Sequence, residues 1–131
     1  MVSLDTNIIS DILRGRQNIV TRYVEEAKKG TIFAICDVVY YELVRGLKSI
    51  GASSKIKEFM KMYEEMEHLP LDMKAINQAV DIYVNLHKGQ QIEDNDIYIA
   101  AIAMANDCTL VTANEKHFSR INGLTYENWR L

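Results

Sequence analysis

Short apolar runs alternate along this chain with longer segments in which apolar residues recur at helical spacing. Five of the runs predict strands: residues 1–4, 31–35, 67–71, 109–112 and 124–126. Pro70 makes the third of these the weakest, because proline cannot donate to a sheet ladder. Four polar residues precede periodic segments and are candidate helix N-caps: Asn18, Asp37, Ser54 and Asp72.

Two of the predicted helices have distinct patterns. The helix after Asp72 has apolar or aromatic residues at helical spacing: Ile76, Ala79, Val80, Tyr83 and His87. Residues 97–105 are apolar almost all round, which predicts a buried helix with Asp94 or Asp96 as its N-cap. Alternation of strands and helices predicts an α/β fold, with a mostly parallel central sheet of four to five strands and helices on both faces.

Length and composition limit the class of protein. The 131 residues suit one domain, 1–131, and 48% hydrophobic with 25% charged residues is typical of a soluble chain. Neither a signal peptide nor the roughly 18-residue apolar run of a membrane helix is expected. Cys36 and Cys108 stand among apolar neighbours, which favours reduced core residues of a cytoplasmic protein over a disulfide framework.

The net charge of −3 does not favour a passive nucleic-acid binder, which would usually be basic. It does not exclude a nuclease, because bound divalent cations offset a local group of carboxylates. The positions of the acidic residues are therefore more informative than their number.

Polar side chains follow several of the predicted strands. The carboxyl ends of parallel strands meet at one edge of a sheet, where ligands bind in folds of this class. Four strand–helix units bring polar groups to that edge: Asp5, Glu42, Asp94, Asp96, Thr112 and Asn114.

Each of these residues also has an ordinary structural interpretation. Asp5 alone can be a helix N-cap, Glu42 can face solvent, and Asn114 can be a turn residue. The histidines, His68, His87 and His117, lack paired zinc spacing and are expected at structural or surface positions. Convergence of several acids on one edge is more specific than any one of them.

Carboxylates held close together repel each other unless a cation neutralises them. Oxygen ligands select Mg²⁺, with Mn²⁺ as a substitute, and such a metal binds phosphate and activates water. Phosphodiester hydrolysis is the natural reaction class. The sequence has no glycine-rich phosphate loop, which argues against a nucleotide kinase. No Ser-His-Asp or Cys-His pairing is evident in it.

Four stretches of the chain, in this order and spacing, resemble the PIN domain, and within it the VapC-type toxins of bacterial and archaeal toxin–antitoxin systems. They are Leu4–Asn7; Tyr41–Leu43 with Arg45 and Gly46; Asp96–Ala101; and Leu110–Asn114 followed by His117 and Phe118. The tail from Gly123 to Trp129 resembles the family's ending, so the resemblance covers nearly the whole chain.

The resemblance implies a PIN-like three-layer sandwich and a Mg²⁺-dependent endoribonuclease that acts as a toxin. It implies that Asp5, Glu42 and Asp96 are the catalytic acids that hold the metal. Thr6, Asn7 and Thr112 would orient ligands and water. The role of Asp94 stays open, and Asn114 stands where the family often has a fourth acid, which leaves the number of metal ions open.

The same resemblance implies an RNA substrate, a small VapB-type antitoxin and a toxin homodimer. Arg14, Arg16 and Arg45 are candidate contacts to RNA phosphates, or else part of a solvated charged surface. The Tyr40/Tyr41 pair and residues 60–66 are candidate protein contacts, although core packing is the more ordinary role for these side chains.

Two alternatives remain at the level of sequence. A phosphoacceptor receiver domain also has an acidic Mg²⁺ pocket on a doubly wound sheet, with Asp72 and Lys116 as conceivable key residues. It requires paired acids after the first strand, whereas Asp5 has no acidic neighbour and Glu42 would have no role. The other alternative is a PIN-like module that binds RNA without cleaving it.

Overall fold

The computed structural model describes residues 1–87 and 89–131, which form a five-stranded sheet and the helices packed around it. The strands are β1 (Val2–Leu4), β2 (Phe33–Cys36), β3 (Glu67–Leu69), β4 (Thr109–Thr112) and β5 (Tyr126–Asn128). The helices are α1 (Thr6–Leu13), α2 (Gln17–Lys28), α3 (Asp37–Ser49), α4 (Ser53–Glu65), α5 (Met73–Asn85), α6 (Asp94–Ala105) and α7 (Glu115–Phe118).

The strand order is β3-β2-β1-β4-β5, and every neighbouring pair is parallel. The predicted α/β class with a parallel sheet of four to five strands is therefore confirmed. β1 is the central strand, where Val2 is opposite Phe33 on one side and Thr109 on the other. Leu4 is opposite Val111. The next residues of the two parallel segments, Asp5 and Thr112, therefore lie side by side at the same edge of the sheet.

The core covers both faces of the central strands. All four residues of β2 and the last three of β4 are buried, although successive side chains point to opposite faces. This explains why β2 is a continuous apolar run in the sequence and why Leu110 and Val111 of β4 are both apolar. α6 is buried as predicted, with six consecutive or nearly consecutive core residues: Ile97, Ile99, Ala100, Ala101, Ile102 and Ala103.

Several predicted helix caps are wrong. α2 begins at Gln17 with Arg16 at its N-cap, so Asn18 lies inside the helix, and α4 follows Ala52 instead of Ser54. Glu93 is the N-cap of α6, so neither Asp94 nor Asp96 holds that place. The chain enters each of these three helices without a side-chain cap hydrogen bond, which is why cap preference misplaced them.

The remaining differences have tertiary causes. Asp37 is the first residue of α3 and not its cap, and its carboxylate accepts a hydrogen bond from the Leu71 amide at 3.1 Å. β5 begins two residues later than predicted because Tyr126 pairs with Leu110. Asp72 does cap α5, accepting from the Ala75 amide at 3.0 Å.

α5 buries a different face from the one predicted. Ala75, Ala79 and Ile82 are buried, whereas Val80 is 54% and Tyr83 60% exposed. Cys36 and Cys108 are both buried and unpaired, as expected. Among the described residues, no helix has the length and apolar character required to span a bilayer.

Candidate metal centre

Asp5 occupies the junction between β1, α1 and β4. It is the N-cap of α1, where Oδ1 accepts a hydrogen bond from the Thr6 amide at 2.8 Å. Its other oxygen, Oδ2, accepts from the Thr112 hydroxyl at 2.7 Å, across the end of β4. The side chain is almost completely buried, at 4% exposure. The cap role and the proposed site role therefore coincide in one residue.

Burial raises the pKa of the Asp5 carboxyl from 3.8 to about 6. The hydrogen bonds from Thr112 and Thr6 lower the pKa, because they stabilise the charged form. The negative charges of Asp96 and Glu42 raise it further, so these two acids lie close enough to act on Asp5. Three carboxylates, from the start of α1 and from α3 and α6, thus share one electrostatic environment.

Glu42 is half-buried and turned toward the start of α1. Its Oε1 accepts from the Thr6 hydroxyl at 2.8 Å, and its Oε2 accepts from the Asn95 amide nitrogen at 3.3 Å. A solvent-facing orientation, the ordinary alternative for a glutamate in this helix, is not observed. Asn95 was not predicted from the sequence, although its place between Asp94 and Asp96 at the start of α6 is a signal that could have found it.

Asp96 lies in the first turn of α6, with Oδ2 2.9 Å from Nδ1 of His117. The Asn114 amide nitrogen lies 2.8 Å from the same ring nitrogen. His117, expected at a structural or surface position, therefore lies within the candidate site. Its neighbour Phe118 is fully buried, which anchors α7 in the core.

The other predicted residues of this edge support the carboxylates. Thr112 Oγ1, besides donating to Asp5, accepts from the Asn114 amide at 2.9 Å. Asn7 Oδ1 accepts from the Ala113 amide at 3.2 Å and so ties α1 to the loop after β4. Asp94 lies apart: it is exposed and lines a groove between α5 and α6.

The donor set suits a hard divalent cation. Asp5, Glu42 and Asp96 offer carboxylate oxygens, and a cation between them would favour the charged form of Asp5, whose pKa is raised mainly by burial and further by the two neighbouring charges. Within the described residues, no three His, Cys, Asp or Glu side chains already stand at metal-ligating spacing. The hydrogen bonds to Thr6, Thr112 and His117 instead direct part of each carboxylate toward the protein.

The three candidate arginines are all exposed, in different surroundings. Arg14 is the C-cap residue of α1. Arg16 lies 3.6 Å from the buried carboxylate of Asp11, so part of its charge is used within the fold. Arg45 stacks over the Tyr41 ring at 4.8 Å, one turn beyond Glu42 in α3.

Some of the candidate protein contacts pack in the core and others are exposed. Tyr40 packs against Phe59 and Tyr63 in the core, whereas Tyr41 is 57% exposed. Residues 60–66 cross the end of α4, and Met66 is buried. Most of these side chains therefore have the ordinary packing role.

The chain is similar to one well-defined group of proteins. A family model described as PIN domain matches residues 2–124. The "Ribonuclease VapC2" of Rickettsia felis is 32% identical over 131 residues, covering 96% of each chain. The "Ribonuclease VapC1" of Haemophilus influenzae strain R2866 is 27% identical over 128 residues, again covering 96% of each.

Solved structures agree with the sequence comparison. One is VapBC2 from Rickettsia felis bound to a DNA fragment from its promoter: TM-score 0.84, 30% identity, covering 98% of this chain and 99% of that chain. Another is DNA-bound VapBC from Salmonella typhimurium: TM-score 0.85, 25% identity, covering 98% and 97%.

Proposed function

The chain belongs to the PIN-domain family, and on that premise we propose that it is a Mg²⁺-dependent endoribonuclease, the toxin of a VapBC-type pair. The observation that carries the proposal is the meeting of Asp5, after β1, with Glu42 of α3 and Asp96 of α6 at one edge of a parallel sheet. The family match excludes a receiver-type signalling domain. We take residues 1–131 as one nuclease domain.

In this proposal Asp5, Glu42 and Asp96 hold the metal, which when bound polarises a phosphate oxygen and supplies an activated water. The chain's own residues orient the carboxylates that would hold the metal. Thr6 donates a hydrogen bond to Glu42, and Thr112 donates one to Asp5, so two carboxylates are oriented before any ion binds. Asn7 keeps the loop after β4 in place beside them.

RNA would approach across the exposed cations near this edge. Arg45 is one turn from Glu42 along α3 and is free to meet a phosphate with the side of its guanidinium away from Tyr41. Arg14 is a second candidate contact. Arg16 is the weakest of the three, because its ion pair with Asp11 would have to be shared.

A cell that contains a toxic nuclease needs an inhibitor of that nuclease. The similar structures are VapBC complexes, and we propose that a small VapB-type antitoxin binds this chain. We further propose that the chain forms a homodimer and acts in the cytoplasm, where its RNA substrate and two unpaired cysteines are expected.

The catalytic proposal is tested by incubating the purified chain with single-stranded and hairpin RNA. We expect cleavage with Mg²⁺ or Mn²⁺, none in excess EDTA, and a loss of at least 100-fold for Asp5→Asn or Asp96→Asn. Asp107→Asn is the matched control, since Asp107 follows the opposite end of α6 and asparagine tolerates its positive φ of 52°. Full cleavage in EDTA would overturn the metal dependence. Metal-dependent RNA binding without cleavage would indicate the non-catalytic PIN-like module instead.

The toxin proposal is tested in cells. Inducible expression of this chain alone should arrest growth, and co-expression of the antitoxin encoded beside it should restore growth and yield a co-purifying complex. Asp5→Asn should be harmless in the same strain. A wild-type chain that is harmless in a host without such an antitoxin would contradict the toxin role while leaving the nuclease assay to stand by itself.

A further inference from the structure

A network of hydrogen bonds joins two of the proposed metal ligands through Asn114, which takes part with its backbone amide on one side and its side chain on the other. From Asp5 Oδ2 it passes to the Thr112 hydroxyl at 2.7 Å, and from that hydroxyl to the Asn114 amide at 2.9 Å. The Asn114 side chain then meets Nδ1 of His117 at 2.8 Å, and His117 meets Asp96 Oδ2 at 2.9 Å. The network crosses from β4 through α7 to α6, so it relates carboxylates on separate elements.

The neighbours of Nδ1 of His117 decide whether this nitrogen carries a hydrogen. A carboxylate oxygen at 2.9 Å requires a donor, so Nδ1 of His117 carries a hydrogen directed at Asp96. One N–H cannot also accept from the Asn114 amide. The Asn114 side chain therefore turns its amide oxygen toward Nδ1, 2.8 Å away, where it shares the single hydrogen with Asp96 in a three-centre hydrogen bond.

We propose that His117 is a positioning residue that holds the Asp96 carboxylate by Oδ2 and leaves Oδ1 for the metal, with Asn114 fixing the imidazole. The proposal rests on the function proposed above. His117 itself does not bind the ion. Hydrogen-bond donors to ligating carboxylates are typically worth about 10- to 100-fold in metal affinity.

The other two histidines have different environments. His68 stacks on Tyr63 at a centroid distance of 3.8 Å and pairs with the Tyr63 carbonyl at 2.6 Å. His87 lies beyond the end of α5 and lines a cavity with Ile82, Met104 and Arg120. Neither contacts a proposed ligand, so His87→Ala is a matched control for the loss of an exposed imidazole.

The decisive measurement is the affinity of the full chain for Mn²⁺. The electron paramagnetic resonance signal of the free ion reports how much Mn²⁺ stays unbound. His117→Ala should weaken binding about tenfold or more, and His87→Ala should not change it. His117→Asn should recover most of the affinity, because its amide nitrogen occupies nearly the place of Nδ1. His117→Gln should not recover it, because its longer side chain mimics Nε2.

Three outcomes would overturn the inference. In one, wild-type affinity persists in His117→Ala. In another, His117→Gln restores affinity better than His117→Asn. In the third, directly coordinated imidazole nitrogen appears in the electron spin echo modulation of the bound Mn²⁺, making His117 a ligand.

A purely structural role for His117 also has a distinct signature. It would lower the melting temperature of metal-free His117→Ala while leaving its Mn²⁺ affinity at the wild-type value. Failure of RNA cleavage by a wild-type chain that binds Mn²⁺ would overturn the proposed function and not this inference. Absence of Mn²⁺ binding by the wild type would overturn both.

Discussion

Asp5 shows how a single residue carries both a fold role and a proposed site role. Its carboxylate caps α1 and accepts a hydrogen bond from the Thr112 hydroxyl. Burial, together with the charges of Asp96 and Glu42, still raises its pKa to about 6. Two hydrogen bonds therefore fail to compensate fully for lost hydration. A buried charge that the protein itself does not neutralise is poised to gain from a cation.

The pKa of Asp5 predicts how metal-free stability depends on pH. A carboxyl whose folded pKa is raised binds its proton more tightly in the folded state, so its contribution is fully present below 3.8 and lost as pH rises through 6. At 1.36 kcal/mol per pKa unit, the loss between pH 4 and pH 7 is about 2 kcal/mol for this group, most of the effect of the whole shift. Melting in EDTA should show Asp5→Asn to be less sensitive to pH than the wild type over this interval.

Saturating Mg²⁺ should reverse that trend, because the ion binds the charged native form. Stabilisation should grow as RT ln(1 + [L]/Kd), roughly 2.7 kcal/mol at a 100-fold excess over Kd. Asp5→Asn and Asp96→Asn should lose most of this increase in Tm, whereas Asp107→Asn should retain it. An undiminished Mg²⁺ effect in Asp96→Asn would remove Asp96 from the ligand set.

At the scale of elements, the chain's tail holds the first helix. Arg130, just after β5, donates to both oxygens of Asp11 in α1, at 2.8 Å and 3.0 Å, and Asp11 is only 3% exposed. This bidentate pair connects the last structured residues to the helix that begins at Asp5. The geometry is the kind in which an arginine stabilises a buried carboxylate well.

Arg130→Ala should therefore destabilise the protein. It leaves the buried Asp11 with the more distant Arg16, at 3.6 Å, as its cationic neighbour among the described residues. Because the Arg130 side chain is 36% exposed, we expect a loss of about 2 kcal/mol in the free energy of unfolding, below the range for fully buried pairs. Chemical denaturation measures it, with Arg120→Ala, whose bonds go to the carbonyls of Gln90 and Gln91, as the comparison. Equal stability of Arg130→Ala and the wild type would show that solvent replaces the pair.

At the scale of the whole molecule, α5 carries exposed apolar side chains: Met73, Val80, Tyr83 and Val84. Between α5 and α6 lies a cavity of about 180 Å³ lined mostly by apolar groups. A contiguous apolar surface of this kind is typical of a protein interface. If the proposed homodimer forms here, Asp94 would lie at its rim.

Replacing Val80 and Val84 by lysine should then convert the dimer to a monomer in sedimentation experiments. Both side chains are more than half exposed, so the Tm of the dilute chain should change little. The Thr21→Lys and Glu25→Lys double variant on α2 provides a matched control at i, i+4 spacing. An unchanged sedimentation coefficient would place the dimer contact elsewhere.

The sequence by itself determined the class of fold and the edge where the acids meet. Buried parallel strands carry apolar residues on both faces, so β2 stands out as a continuous apolar run, and β1 and β4 as short uncharged segments with apolar residues and only Ser3, Thr109 and Thr112 among them. Residues after such strands reach a common edge by the geometry of the sheet. Asp5, Glu42, Asp94 and Asp96 could therefore be grouped before any distance was known, and the resemblance to the PIN domain selected Asp5, Glu42 and Asp96 among them.

Tertiary structure decided what each of those residues touches. Cap preferences placed Asn18, Ser54 and the acids of α6 wrongly, because the helix starts are fixed by packing and carry no side-chain cap bond. The partnership of His117 with Asp96 joins residues 21 apart, and that of Glu42 with Asn95 joins residues 53 apart. Local pattern holds no information on such pairs, since only the docking of α3, α6 and α7 on the sheet brings them together.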